Sequence, residues 1–237
     1  MIPKRDQLYE GKAKILYATD DPQRVIAYFK DDATAFNAAK KGTIINKGVF
    51  NNKISAVVFQ MLEKNGISTH FVESLSDRES LLKKVEIIPV EVVVRNVVAG
   101  SLAKKLGIEE GTALKQPIVE FFYKSDPLDD PPINADIAIA FDWATPEECV
   151  LLKEQALKVN QLLIPFFDKL GIRLIDYKLE FGRSPDGVLL ADEITPDGCR
   201  LWDKETNEKL DKDRFRRDLG QIEEAYQRVY DLVTEAQ

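Results

Sequence analysis

At 237 residues, 44% hydrophobic and 31% charged, the chain has the balance of a soluble globular protein and the length for one large domain or two modest ones. A formal net charge of −7 with no long basic run argues against a nucleic-acid partner. No apolar run approaches the roughly 20 residues that span a bilayer, which argues against a membrane one. Cys149 and Cys199 lie far apart without CxxC or Cys/His spacing, and MIPKRDQLYEGKAK has no apolar signal core. Neither a disulfide framework nor structural zinc is indicated, and a reducing cytoplasm is the expected compartment.

Residues 7 to 31 read as strands, QLYEGKAKILYAT and RVIAYFK, around the turn Asp20-Asp21-Pro22. Lys12 and Lys14 follow Gly11 at period 2, so on a strand both ammonium groups leave one side. The flanking glycine lets backbone approach a ligand. That suits phosphates, although a pair of strand lysines is more often a solvated face, and neither GxxxxGK[ST] nor GxGxxG occurs. The segment NAAKKGTIINKGVFNNK (37 to 53) predicts a loop leading into a helix. Phe50, Ile54, Val57, Val58, Met61 and Leu62 then recur at helical spacing, up to a stop at Asn65-Gly66.

Residues 67 to 75 and 85 to 95 return to strand character, the second through the β-branched run IIPVEVVVRN, with a domain boundary near residue 83. His70, the only histidine, reads as a plain surface or strand residue; HExxH is absent. Next, Ser101 predicts the N-cap of a short helix LAKKL with Gly107 past its end. With Arg95 beside it, that helix start invites a phosphate; the competing reading is a simple cap, with Arg95 paired to Glu91.

Four prolines between 115 and 135 predict loop bordering the site. Thr145-Pro146-Glu147-Glu148 predicts a helix start. Its apolar repeat is Val150, Ala156, Val159, Leu163, Phe166 and Leu170, kinked at Pro165 and ending at Gly171.

The stretch LIDYKLEFGRSPDGVLLADEITPDG (174 to 198) is the most explicit chemically. Asp176, Lys178 and Glu180 alternate with apolar residues and so share one strand face. A three-residue loop Pro185-Asp186-Gly187 pairs Ser184 with Val188 and sets Glu180 opposite Asp192, about 5 Å apart at Cβ. Like charges so placed call for a cation between them, and Mg²⁺ fits a site of few carboxylates plus water and phosphate. An exposed hairpin with solvated charges is the alternative. Beyond it, Arg200, Trp202 and Asp203 read as a polar loop. Asp211 opens a last helix with apolar Phe215, Leu219, Ile222, Tyr226, Val229 and Val233, and Lys212, Arg214, Arg216 and Arg217 crowd its start.

Together, YEGKAK, NKGVFNNK, IPVEVVVRNVVAGS (88 to 101), LIDYKLEFG (174 to 182), LADEITPDGCRLWD (190 to 203) and DKDRFR (211 to 216) resemble the SAICAR synthetase family (phosphoribosylaminoimidazole-succinocarboxamide synthases) over essentially the whole chain. The resemblance implies an α+β fold somewhat like kinases and ATP-grasp enzymes. A small N-terminal antiparallel sheet domain (1 to 83) packs over a larger α+β domain (84 to 237), with nucleotide in the cleft. It implies ATP and Mg²⁺ as cofactors, and carboxyaminoimidazole ribotide and L-aspartate as substrates; oligomeric state stays open.

Carried over by residue, Gly11, Lys12 and Lys14 cover the ATP phosphates, the strand from Ile88 to Glu91 lies near adenine, and Lys124 joins the nucleotide site. Glu180 and Asp192 hold Mg²⁺, and Arg95, Ser101 and Arg200 grip the ribotide. Lys212 and Arg214 are assigned to the aspartate carboxylates. Lys12 and Lys178 would stabilise charge, with Asp176 as base, in transfer of the γ-phosphoryl to the ribotide carboxylate and attack by the amine on the acyl phosphate. The rivals are a small-molecule kinase, favoured by Asp-x-Lys at 176 to 178, and a non-catalytic nucleotide-binding module. A protein kinase lacks support without an HRD-like loop.

Overall fold

The structure, a computed structural model, describes residues 2–35 and 40–235. Apolar alternation through Val25, Ala27 and Phe29 builds an antiparallel meander of β1 (Gln7–Glu10), β2 (Lys14–Ala18) and β3 (Arg24–Phe29). A small hairpin, β4 (Asp32–Ala35) with β5 (Lys40–Thr43), leads to α1 (Lys47–Lys64). Next come β6 (Phe71–Ser74) and β7 (Glu79–Lys83), which complete a five-stranded sheet in the order β1-β2-β3-β7-β6. Of the segment expected to be loop, residues 37 to 39 lie outside the described residues; the rest supplies β5 and the first turns of α1. That helix starts where Asp31, held by Arg78 through bonds of 2.6 and 2.9 Å, accepts the Gly48 N–H at 2.8 Å. Gly48 is required there, because a Cβ would lie 2.3 Å from the Phe29 carbonyl oxygen.

The larger sheet starts with β8 (Glu86–Ile87) and β9 (Val90–Val97), followed by α2 (Gly100–Leu106) and β10 (Ala113–Tyr123). A 3₁₀ turn (Asp126–Leu128), β11 (Pro132–Ile133), α3 (Ala135–Ala140) and α4 (Pro146–Lys169) follow. The chain ends with β12 (Ile172–Ser184), β13 (Gly187–Ala191), β14 (Cys199–Asp203), α5 (Asp213–Arg216) and α6 (Ile222–Glu235). The order is β11-β10-β9-β12-β13, and β12 also pairs with β14 and β8. All these pairings are antiparallel, so the architecture is α+β as expected.

One core runs through both sheets, from Val25 and Phe29 past Ile54 and Phe59 of α1 to Val92, Tyr177 and Leu179, then Leu152 and Val159 of α4 and Val229 of α6. The α4 start is as predicted: Thr145 accepts from the Glu148 N–H and Glu148 from the Thr145 N–H, a complete capping box. The helix runs on through Pro165, whose position and that of Gln161 one turn back are exposed, so water can satisfy the freed carbonyl.

Several expectations need correction. Val150 is 58% exposed, and Leu152 and Phe167 take its place in the core. Much of 115 to 135 is strand: β10 tolerates Pro117 because pairing with β9 breaks register between Ala113 and Ile118. Arg200, Trp202 and Asp203 belong to β14. The final helix is split into α5 and α6 by left-handed Asp218, Gly220 and Gln221. Ser101 does not cap α2: the cap position is Ala99, without a side-chain bond, although Gly107 ends the helix at φ 64° as predicted.

Candidate active site

The site is a row of charges across three strands. Asp176 of β12 sits opposite Arg95 of β9 on one side and Arg200 of β14 on the other. Cross-strand partners share a face, so the row forms by register alone. Arg95 Nη1 donates to Asp176 at 3.1 Å and Arg200 Nη1 at 2.9 Å. Arg95 also binds Glu120 through Nε and reaches Ser101 Oγ at 3.3 Å; the pairing with Glu91 that the competing reading offered does not form. Arg200 Nε donates to Asp213 at 2.9 Å, and Arg216 shares that carboxylate at 2.6 Å. Burial would weaken the Arg200 charge, but Asp176 and Asp213 outweigh it and raise its proton affinity. Gly100 is needed beside it: its φ is 55° and a Cβ would meet Arg200 Nη2 at 2.4 Å.

Further along the same face of β12 the cations change from arginine to lysine. Lys178 Nζ donates to Glu91 at 2.8 Å, binds Glu180, and lies 3.5 Å from Asp192. Lys124 donates to Glu180 at 2.7 Å, and Lys14 binds Asp192 and lies 2.8 Å from Glu193 Oε2. Four carboxylates are thus interleaved with three ammonium groups. Burial would raise the Asp192 carboxyl, but Lys14, Lys178 and Lys124 together hold it well below the usual range. For Glu91 and Glu193 burial wins over Lys178 and Lys14, and both are lifted.

The hairpin register differs from expectation. The loop is the two residues Pro185-Asp186, Ser184 pairs with Gly187, and Glu180 faces Ala191. Gly187, counted as loop, is the first paired residue at φ 105°. Asp192 still reaches the Glu180 side because it leaves the strand in a left-handed turn at φ 60°. The cation between these two carboxylates is the Lys178 ammonium.

Lys12 and Lys14 do not share a strand face. Gly11 donates to the Lys14 carbonyl at 2.8 Å, closing a tight turn with Lys12 inside it. Lys14 points inward to the acids, while Lys12 reaches Asp126 at 2.8 Å. A cavity of about 630 Å³ opens beside this turn, lined by Gly11, Lys12, Lys30, Thr34, Lys41 and Asp126. Ile88 is wholly buried on the link between β8 and β9, its N–H bonded to the Phe181 carbonyl at 2.9 Å.

A third cluster gathers around Asp197, and of its members the sequence singled out only Lys212 as a site residue. Fully buried Lys47 donates to Asp197 at 2.7 Å, Tyr226 donates to the same carboxylate at 2.6 Å, and Lys212 lies 4.0 Å from it. Burial, with Arg216 and Lys47 nearby, lowers the Lys212 pKa despite Asp197. Arg214 is not at the site. Its guanidinium is spent on the Gly220 and Lys209 carbonyls at 2.7 and 2.9 Å and on Glu208 at 2.8 Å, stapling the break between α5 and α6.

Glu193 and Lys47 were also missed, and His70, expected as a plain surface or strand residue, is instead buried in a bend just before β6. Strand alternation would turn Glu193 away from Asp192, and nothing local marks His70 or Lys47 as buried under the cleft. Burial, then the Lys14 charge, pushes His70 down to about 4, so its ring is neutral near pH 7.

No three Asp, Glu, His or Cys side chains among the described residues are grouped as a ready metal cage. The donor set nevertheless fits a hard cation: Glu180 and Asp192 already converge on one charge, the Lys178 ammonium, and the buried Glu193 carboxylate shares Lys14 with Asp192.

A lysine-bearing turn, interleaved carboxylates and ammonium groups and an arginine row suit an enzyme that handles phosphorylated substrates. The SAICAR synthetase family model matches residues 7–233. A phosphoribosylaminoimidazole-succinocarboxamide synthase of Magnetococcus marinus is 63% identical over 231 residues, 96% of each chain. The crystal structure of the Ehrlichia chaffeensis synthase superposes with a TM-score of 0.95 at 46% identity, covering 97% of this chain and 98% of that one. A SAICAR synthetase in complex with ADP gives 0.93 at 47% identity, covering 96% and 97%. The chain belongs to the SAICAR synthetase family, and is therefore an ATP-dependent ligase of purine biosynthesis rather than a kinase or a regulatory module.

Proposed function

We propose that the chain joins carboxyaminoimidazole ribotide to L-aspartate through an acyl phosphate, with Mg²⁺ held by Glu180 and Asp192. The observation that carries this reading is Lys178, whose single ammonium touches Glu91, Glu180 and Asp192. Such an arrangement suits exchange: when phosphates arrive, the lysines have new partners and the carboxylates are left to a divalent cation. When bound, that cation would offset charge on the transferring phosphoryl group.

Lys12 and Lys14, from the Gly11 turn, would hold the β- and γ-phosphates, with Lys124 beside them and the link from Ile88 to Glu91 along the adenine. Residues 1 to 83 and 84 to 237 would then act as two lobes about that link. Arg95, Ser101 and Arg200 would bind the ribotide phosphate, which the guanidinium groups meet with N–H donors not engaged by Asp176. Asp176, with its oxygens on Arg95 and Arg200, orients that pair; it is poorly placed to act as a free base.

Chemically, the ribotide carboxylate oxygen attacks the γ-phosphorus and the bond to ADP breaks; Lys178 and Lys12 stabilise the charge in flight. The aspartate ammonium first gives a proton to water; the amine then attacks the acyl carbon, inorganic phosphate leaves, and the amide nitrogen releases its second proton to water. Lys212 is the cation for an aspartate carboxylate, since its nearest acid is 4.0 Å away and no hydrogen bond occupies it among the described residues. Buried, unpaired Cys149 and Cys199 suit a reducing cytoplasm. No helix among the described residues is long and apolar enough to cross a membrane.

The test is isotopic. Ribotide labelled with ¹⁸O in its carboxylate should deliver one ¹⁸O to inorganic phosphate per turnover, with sustained ADP formation only when ribotide and aspartate are both present. Unlabelled phosphate would rule out the acyl phosphate.

A further inference from the structure

The chain's one imidazole lies directly under the hairpin end that carries Asp192. His70 is 5% exposed, its ring edge-on to Phe59 at 5.5 Å and 87°. Its backbone ties the two sheets: the N–H donates to the Leu190 carbonyl at 2.9 Å, the carbonyl accepts from Lys83 at 2.7 Å, and neighbouring Ser68 accepts from Leu190 at 3.0 Å. From there the ring Nε2 reaches the Asp192 carbonyl at 3.1 Å. A carbonyl oxygen only accepts, so this contact requires the Nε2–H tautomer.

Asp192 needs such support. A residue with a side chain in the left-handed region is strained by roughly 1–2 kcal/mol, and persists where its surroundings hold it. This turn is what swings the carboxylate toward Lys14 and Lys178; in a regular strand position it would follow the alternation of β13.

We propose that His70 is a positioning residue for the ligase: its Nε2–H holds the Asp192 carbonyl, locks the left-handed turn, and thereby aims the Asp192 carboxylate into the metal–phosphate end of the cleft. The proposal rests on the reading of Asp192 as a magnesium ligand. The plainer alternative is a core histidine whose ring merely fills space against Phe59.

Because the chain has a single histidine, ¹⁵N-histidine labelling of untagged protein gives one imidazole spin system. Its two-bond ¹⁵N–¹H pattern should be that of the Nε2–H tautomer, and a Nδ1–H pattern overturns the proposal. Two variants separate positioning from packing: His70→Phe keeps a ring without a donor, and His70→Gln places an amide N–H near the Nε2 position. Calorimetric titration of Mg²⁺ into the ADP-bound protein should show His70→Phe weakened about 10–100-fold, as for loss of an outer-shell partner, with His70→Gln close to the parent.

Equal weakening in both variants, or a drop in melting temperature with unchanged Mg²⁺ affinity, means packing alone and overturns it. If His70→Phe does not fold, the tautomer and the glutamine variant still decide. If the parent protein binds ADP without regard to Mg²⁺, the metal reading fails, while the tautomer still reports on the hydrogen bond.

Discussion

The two ends of the charged row on β12 are built from different cations, and the difference separates a mould from an exchange. At one end the Arg95 and Arg200 forks bind Asp176, and Arg200 also grips Asp213, with little solvent access and fixed directions. Planar guanidinium groups so held are preorganised for a phosphate. At the other end Lys14, Lys124 and Lys178 are shared among more carboxylates than they can neutralise. Flexible ammonium groups can change partners without moving the backbone. On the proposed reading, the arginine end is shaped in advance for the ribotide phosphate, and the lysine end is balanced so that a metal–nucleotide complex would rearrange it.

The largest expected effect falls on neither end but on the floor beneath both. Asp197→Asn leaves buried Lys47 without its charge partner and should cost about 3–5 kcal/mol of stability, read by denaturant unfolding. Burial would raise Asp197, yet Lys212, Lys47 and the Tyr226 hydroxyl hold it low. Its stabilising contribution is therefore present above the ordinary carboxylate pKa of about 3.9 and is lost as pH falls below that value. The acid limb of the stability curve should be shallower in the variant.

Glu180→Gln acts on the exchange end and should lower kcat by about 10²–10³-fold while raising the Mg²⁺ requirement, with little change in KM for the ribotide. Arg200→Lys acts on the mould. It loses the fork and should weaken ribotide binding by about 1.5–3 kcal/mol, roughly ten- to hundredfold in KM, with Mg²⁺ dependence unchanged. If the two variants give the same kinetic signature, the division between the ends is wrong.

The smallest effect separates two basic neighbours. Lys212→Met should raise KM for aspartate by about tenfold, the value of one charged contact near 1.4 kcal/mol. Arg214→Ala should leave that constant alone and lower the melting temperature, since its bonds are to Gly220, Lys209 and Glu208.

Much of this was legible because it is local or periodic. Thr145-Pro146 through Glu148 carries its own capping instructions, and the alternation of Asp176, Lys178 and Glu180 follows from strand geometry. The hairpin register was off by one because a glycine at positive φ can close a loop or open a strand, and local chemistry does not say which. That the carboxylates meet anyway depends on the left-handed turn at Asp192, which reversed the alternation and hid Glu193. Pro117 concealed β10, since a register break admits a residue that regular pairing excludes. Lys47, His70 and Asp197 could not be found locally: polar residues buried by contacts far along the chain carry no periodic signal.

The most direct test of the exchange is a crystal structure with a non-hydrolysable ATP analogue and Mn²⁺, which locates the cation by anomalous scattering. The account predicts Mn²⁺ bridging Glu180, Asp192 and phosphate oxygens, Lys178 released from Glu180 toward the γ-phosphate, and the Arg95 and Arg200 side chains unmoved. Mn²⁺ bound away from these carboxylates, or Lys178 still on Glu180 and Asp192 with the nucleotide in place, would contradict it.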